Sequence, residues 1–238
     1  MWDEEHDRRK RKAMKIERAL KKQRGDLAGA HIVDIGLGSG FILQYLRDSN
    51  GDVRVTGIDV GDYRAEQAQD VPLVVAGESG AIPLEDQSAD IVLSNFMIEH
   101  MASPDAQALH LREVARILKP DGFAYLAAPN AWWILESHTG VPFATWLPHK
   151  TQQRFVSWWI GETWMEVWTP TRRKLQNWAR NAGLRSTEIT LETMRELADV
   201  EGFRGLKRLI CKAPRWMLFP VWWLIPSVIY ILRPRSAS

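Results

Sequence analysis

The sequence predicts an α/β fold, in which buried strands alternate with helices and a ligand site lies at the strand tips. Three observations predict it. Residues 31–46 read as strand, glycine turn and helix in immediate succession. Apolar runs at 53–58, 71–76, 90–95 and 123–128 repeat the strand signal, with room for helices between them. The second strand ends in a carboxylate, Asp59, nineteen residues after the last glycine of the turn.

In the first stretch, Ile32, Val33 and Ile35 make the short apolar run of a strand buried on both faces. Gly36, Gly38 and Gly40 turn the chain without Cβ atoms, so backbone can approach a ligand closely. Phe41, Ile42, Leu43, Tyr45 and Leu46 follow at helical spacing, and the N–H groups at the start of that helix favour an anionic group. A dinucleotide fingerprint needs a glycine where Phe41 stands. Glycines at alternate positions instead resemble motif I of the class I S-adenosylmethionine (SAM)-dependent methyltransferases.

Asp59, at the tip of the strand Val53–Ile58, is placed to accept hydrogen bonds from ribose hydroxyls. The alternative is an aspartate that merely opens a helix. After the third strand, residues 77–90 are similar to the methyltransferase pattern Gly-Asp-Ala-x-x-Leu-Pro-Phe-x-Asp-x-Ser-Phe-Asp in unbroken register. Glu78 replaces the aspartate, Ser79 the alanine and Ala89 the phenylalanine. Ile98-Glu99-His100 resembles the family's Glu-His segment after strand four, and Arg116 to Gly122 resembles its Arg-x-Leu-Lys-Pro-Gly-Gly turn. The resemblance covers Gly36 to Asn130.

It implies a Rossmann-like, seven-stranded class I methyltransferase sheet with helices on both faces and an antiparallel last strand. It implies SAM as cofactor, held by Asp34, Gly36, Gly38, Gly40, Asp59, Val60, Glu78, Ser79 and Asn95. Asp34 would orient the glycine turn, Val60 would pack on the adenine, and Glu78 would accept from the adenine amino group.

Residues 1–25 form a basic N-terminal helix, with Met14, Ile16, Ala19 and Leu20 as a thin apolar stripe. The methyltransferase domain follows over 26–238. Residues 105–118, 170–182 and 192–212 read as helices, and 185–191 as the sixth strand. Residues 131–168 break the alternation and hold seven of the twelve tryptophans. They read as a substrate lid or as a small satellite core. The segments 136–143 and 146–149 resemble bacterial methyltransferases of envelope-glycan and lipid pathways. Residues 216–232 are uncharged, but Pro220 and Pro226 interrupt them and the run is short for a membrane span. Ser227 to Leu232 is β-branched and fits the last strand. That leaves 214–225 as an apolar, tryptophan-rich insertion suited to a membrane interface.

The net charge is +2 over 238 residues, but its distribution is uneven. Residues 1–24 carry a net +5 and residues 203–238 a net +7, which leaves −10 for the body. Basic ends suit an anionic membrane surface, although the run Arg8 to Lys12 reads equally as a solvated face. The acidic body and apolar lid argue against nucleic acid. Cys211 is the single cysteine, which excludes an internal disulfide and fits a reducing, cytoplasmic setting peripheral to the membrane. The first residues show no apolar run of a secretory signal.

Methyl transfer is a displacement, so the enzyme supplies alignment, and a hydroxyl acceptor also gives up a proton. Histidine suits that at neutral pH. His100, His138 and His149 are the catalytic candidates, with Glu99 behind them. No spaced metal motif is present in the sequence. The expected function is SAM-dependent O-methylation of a small-molecule or lipid-linked acceptor. The rival readings are a nicotinamide oxidoreductase, disfavoured by Phe41, and a binding module without catalysis.

Overall fold

The computed structural model describes residues 2–77, 80–164 and 167–235. Its centre is a seven-stranded sheet ordered β3-β2-β1-β4-β5-β7-β6. The strands are β1 (His31–Ile35), β2 (Arg54–Asp59), β3 (Leu73–Val75), β4 (Ala89–Asn95), β5 (Leu118–Pro129), β6 (Leu184–Glu188) and β7 (Ser227–Pro234). β1 to β5 pair in parallel, and β7 runs antiparallel between β5 and β6. The expected antiparallel last strand is therefore present, two residues longer than its β-branched core.

The strand sequences are apolar without alternation because both faces are covered. Ile32, Ile91, Leu93, Phe123 and Tyr125 face one layer, which includes Ile16 and Leu20 of α1 (Trp2–Arg24) and Leu43 and Leu46 of α2 (Phe41–Asn50). Val33, Val92, Ala124, Leu126 and Tyr230 face the other, with Leu111 and Val114 of α3 (Pro104–Ile117) and Leu175 of α5 (Arg172–Asn181). The chain leaves β1 towards β2 and β3, then returns to build β4 on the other side. That reversal opens a crevice beyond the carboxyl ends of β1 and β4, where open α/β sheets hold their ligands.

Several boundaries differ from the sequence reading. β5 begins at Leu118, because Leu118 pairs with Ala89 before the register shifts and the turn residues pass. Gly122 is required there, since a Cβ would lie 2.8 Å from the Asp90 carbonyl oxygen. β6 stops at Glu188: the Thr190 hydroxyl donates to the Glu188 carboxylate and accepts from Ile229 N–H, so the chain turns into α6 (Thr190–Val200). The helix expected over 192–212 is two helices, α6 and α7 (Gly205–Lys212), parted by Gly202 and Gly205 at positive φ. The 170–182 helix is the shorter α5, capped by Thr171, whose hydroxyl accepts from Lys174 N–H.

The N-terminal helix does not stand off in solvent. Ala13, Ile16, Ala19 and Leu20 are buried, and Met14 is only half-buried. Arg11 and Lys15 pair with Glu201, and Lys22 pairs with Glu196 of α6. These pairs tie three of the basic residues to the 196–201 segment. At the other end, α8 (Arg215–Leu218) and a short 3₁₀ turn, Phe219–Leu224, precede β7. No helix among the described residues is long and apolar enough to cross a membrane.

Candidate active site

The glycine turn between β1 and α2 is held by β2. The N–H groups of Gly36 and Leu37 donate to the Ile58 carbonyl at 2.8 and 3.1 Å. One oxygen of Asp59 accepts from Gly38 N–H and the other from Val60 N–H, each at 2.8 Å. The orienting contacts thus come from Ile58 and Asp59, where the sequence suggested Asp34. A Cβ on Gly36 would lie 2.5 Å from Met97 Cγ, so that glycine lets Met97 pack beneath the turn. A Cβ on Gly38 would meet nothing within 4 Å, which makes Gly38 the glycine that faces open space. Gly40 ends the turn at φ +76° as the cap of α2, with no side-chain cap bond.

Asp34 is buried beside this turn, and burial pushes its carboxyl up to about 8 against the pull of Lys12. Val60 stands past the β2 tip, 64% exposed, as a residue free to cover a flat ring would be. Asn95 closes β4 and is half-buried. Glu78 and Ser79 lie outside the described residues. The cleft in front of the turn, about 400 Å³, is lined by Arg8, Arg9 and Lys12 of α1 and by Ser39, Phe41 and Ile42. The sequence reading missed α1 as a wall of the site. Its apolar stripe was the available signal, because a buried stripe turns the flanking basic residues towards the crevice.

Beyond Asn95, Phe96 takes a left-handed φ of +54°, a conformation that costs about 1–3 kcal/mol and tends to be kept at working sites. Its ring lies under the Lys12 ammonium at 5.3 Å. A single 3₁₀ turn, Ile98–His100, follows. Glu99 is fully buried, and neither carboxylate oxygen has a hydrogen-bond partner. Burial raises it to about 7, with Lys12 pulling the other way. His100 meets His138 edge to face, with ring centres 5.1 Å apart. Burial, then His138, holds the His100 imidazole below its ordinary value.

His138 is fixed by the buried carboxylate of Glu136, which accepts from His138 N–H, Thr139 N–H and the Thr139 hydroxyl. His149, at the start of α4 (His149–Ile160), is elsewhere: it stacks on Trp168 with ring centres 3.5 Å apart and planes 5° from parallel. The fold therefore joins two of the three candidate histidines and gives the third a packing contact. The 131–168 segment contains the satellite core that the sequence allowed. Val141, Ala144, Val156, Trp164 and Val167 make a satellite core. Trp132, Phe143 and Trp146 remain outside it, and the Trp146 ring meets those of Trp132, Phe143 and Trp223. Asn130, at the end of β5, ties the two segments together by donating to the carbonyls of Trp223 and Ile225 at 2.6 and 2.7 Å.

Residues 33–126 match the family described as "Methyltransferase domain". Over that segment, about two fifths of its length, the chain is similar to that methyltransferase family. Its relatives include the ubiquinone biosynthesis O-methyltransferase of Bordetella avium, 29% identical over 118 residues, covering 44% of this chain and 45% of that one. A malonyl-[acyl-carrier protein] O-methyltransferase of Coxiella burnetii is 30% identical over 108 residues, covering 45% of this chain and 36% of that one. The chain thus spans less than half the length of these two relatives. Among solved structures, a SAM-dependent methyltransferase from Aquifex aeolicus shares the fold at a TM-score of 0.51 and 22% identity, over 72% of this chain and 80% of that one. The resemblance implies SAM as cofactor, and the residues here fit it. Gly38 leaves the backbone open, Asp59 offers a carboxylate at the strand tip, and Asp34 is a buried acid whose charge a cationic ligand would restore.

Proposed function

We propose that this methyltransferase moves the methyl group of SAM to a hydroxyl of a lipid-like or quinone-type acceptor met at a membrane surface. One observation carries the reading: a single loop, 131–146, presents His138 against His100 and also carries the half-exposed aromatics Trp132, Phe143 and Trp146. Chemistry and an apolar mouth therefore share one support. The aromatics give a flat, apolar acceptor a large contact area. On this reading the hydroxyl proton goes to His100 or His138, whose rings meet at the loop. A relative named for O-methylation in ubiquinone biosynthesis supports a quinone-type acceptor.

The membrane side of the proposal rests on the C-terminal insertion. Trp216 is 76% exposed, with Leu209, Met217 and Trp223 also open to solvent, and no acid occurs after residue 202. Tryptophan flanked by lysine and arginine is the composition of an interfacial element. Lipid extracts from cells with and without the gene, compared by mass spectrometry, test the acceptor. Loss of the gene should replace one lipid species by a partner lighter by a single methylene. Unchanged lipids with a missing water-soluble methylated product would contradict it.

A further inference from the structure

The sequence shows no spaced metal motif, yet the fold assembles one set of ligands among the described residues. We propose that Glu99, His100 and His138 bind a divalent first-row transition ion beside the acceptor. One ligand atom from each lies within 4.8 Å of the other two. Glu99 is fully buried with both oxygens unpartnered, an arrangement that is costly unless a cation or donor meets it. Lys12 influences Glu99 electrostatically, but neither oxygen accepts a hydrogen bond from it.

Two imidazoles and one carboxylate suit zinc, iron or nickel, and three protein ligands leave positions open for another molecule. Metal–ligand bonds of roughly 2.0–2.2 Å need the donor atoms closer together than they stand, so the two rings turn inward. Both imidazoles are exposed and meet each other edge-on, which leaves that rotation free. The backbones behind them are fixed. Glu136 pins the His138 loop, and Trp168 N–H donates to the Glu99 carbonyl at 2.8 Å.

The site's role rests on the methyl-transfer reading, whereas metal binding does not. With both imidazoles serving as ligands in place of bases, an acceptor hydroxyl at an open position would be polarised by the metal and would release its proton to water. The oxygen lone pair then forms the new C–O bond as the S–CH₃ bond breaks, and that bonding pair stays on sulfur.

The test is titration of chelator-treated protein with Zn²⁺ alone by calorimetry, and with Co²⁺ alone by visible absorption, with SAM titrated into the same samples. One equivalent of metal should bind. His138→Ala and His100→Ala should each weaken Zn²⁺ binding by roughly tenfold or more, as even a lost outer partner commonly costs that. Both should still bind SAM, which reports an intact fold. Gly38→Arg should lose SAM and keep Zn²⁺, which separates failure of this site from failure of the cofactor site. Glu99→Gln should also weaken Zn²⁺, and if that buried variant does not fold, His138→Ala on its exposed loop decides. No saturable binding, or binding unchanged in His138→Ala, would overturn the proposal.

Discussion

Asp59 does two things with one carboxylate: it holds Gly38 N–H and Val60 N–H, and it remains at the β2 tip where a ribose would lie. Removing a charged hydrogen-bond partner costs about 1.5–3 kcal/mol, so Asp59→Ala should weaken SAM binding roughly tenfold or more. An unchanged affinity in calorimetry would place the ribose elsewhere. The glycines separate structure from ligand in the same way. Gly36→Ala forces a Cβ into Met97 at φ +80° and should lower the thermal midpoint more than Gly38→Ala, which meets only backbone strain. Equal losses would mean that Met97 moves aside. His110 offers a pH test away from the site. It is buried against the Ser94 hydroxyl, and burial depresses it from 6.5 to about 4. The unfolded chain therefore binds the extra proton between these values, and the stability tied to neutral His110 is lost as pH falls through that window. Nuclear magnetic resonance should show a neutral His110 ring at pH 5.5, and titration near 6.5 would contradict its burial.

At the scale of elements, the strands were readable because a sheet covered on both faces leaves continuous apolar runs, as at Ile32-Val33 and Ile91-Val92-Leu93. The glycine turn, Asp59 and the last strand were readable for local reasons of the same kind. The break between α6 and α7 was not, because apolar spacing runs on past Gly202 and Gly205 and only the backbone angle reveals the stop. Nor was the meeting of His138 with His100, which depends on the buried Glu136 and on where a loop lands. Two elements carry predictions. Asn130→Ala leaves the Trp223 and Ile225 carbonyls without their donor, at about 1–3 kcal/mol for each group left buried and unpaired. Urea unfolding should show that loss, and protease should cut sooner near Trp223. Unaltered stability would mean that 222–226 is held sufficiently by Arg172, which donates to the carbonyls of Trp222 and Trp223, and by the Asn130 backbone N–H on the Pro226 carbonyl. Leu20→Ala, in a fully buried position of α1, should cost about 2–5 kcal/mol. A change under 1 kcal/mol would show α1 to be loosely docked.

For the molecule as a whole, both ends of the chain are basic, and the C-terminal one also carries exposed apolar surface. Trp222 packs half-buried under Arg172, so it belongs to the fold more than to any membrane contact. Within the 214–225 insertion, Trp216 and Trp223 are the exposed tryptophans. In liposome flotation the protein should bind vesicles containing anionic lipid, release with salt, and lose binding when Trp216 and Trp223 become serine. Equal flotation of that variant would remove the insertion from the account. Everything at the acceptor side presupposes the cofactor crevice at the β1–β4 switch, so the most direct measurement is titration calorimetry of the whole chain with SAM, S-adenosylhomocysteine and NADH. The glycine turn, Asp59 and the family match predict that SAM and S-adenosylhomocysteine bind, that NADH does not, and that Gly38→Arg abolishes binding. Tight NADH binding without SAM binding would contradict the account at its root.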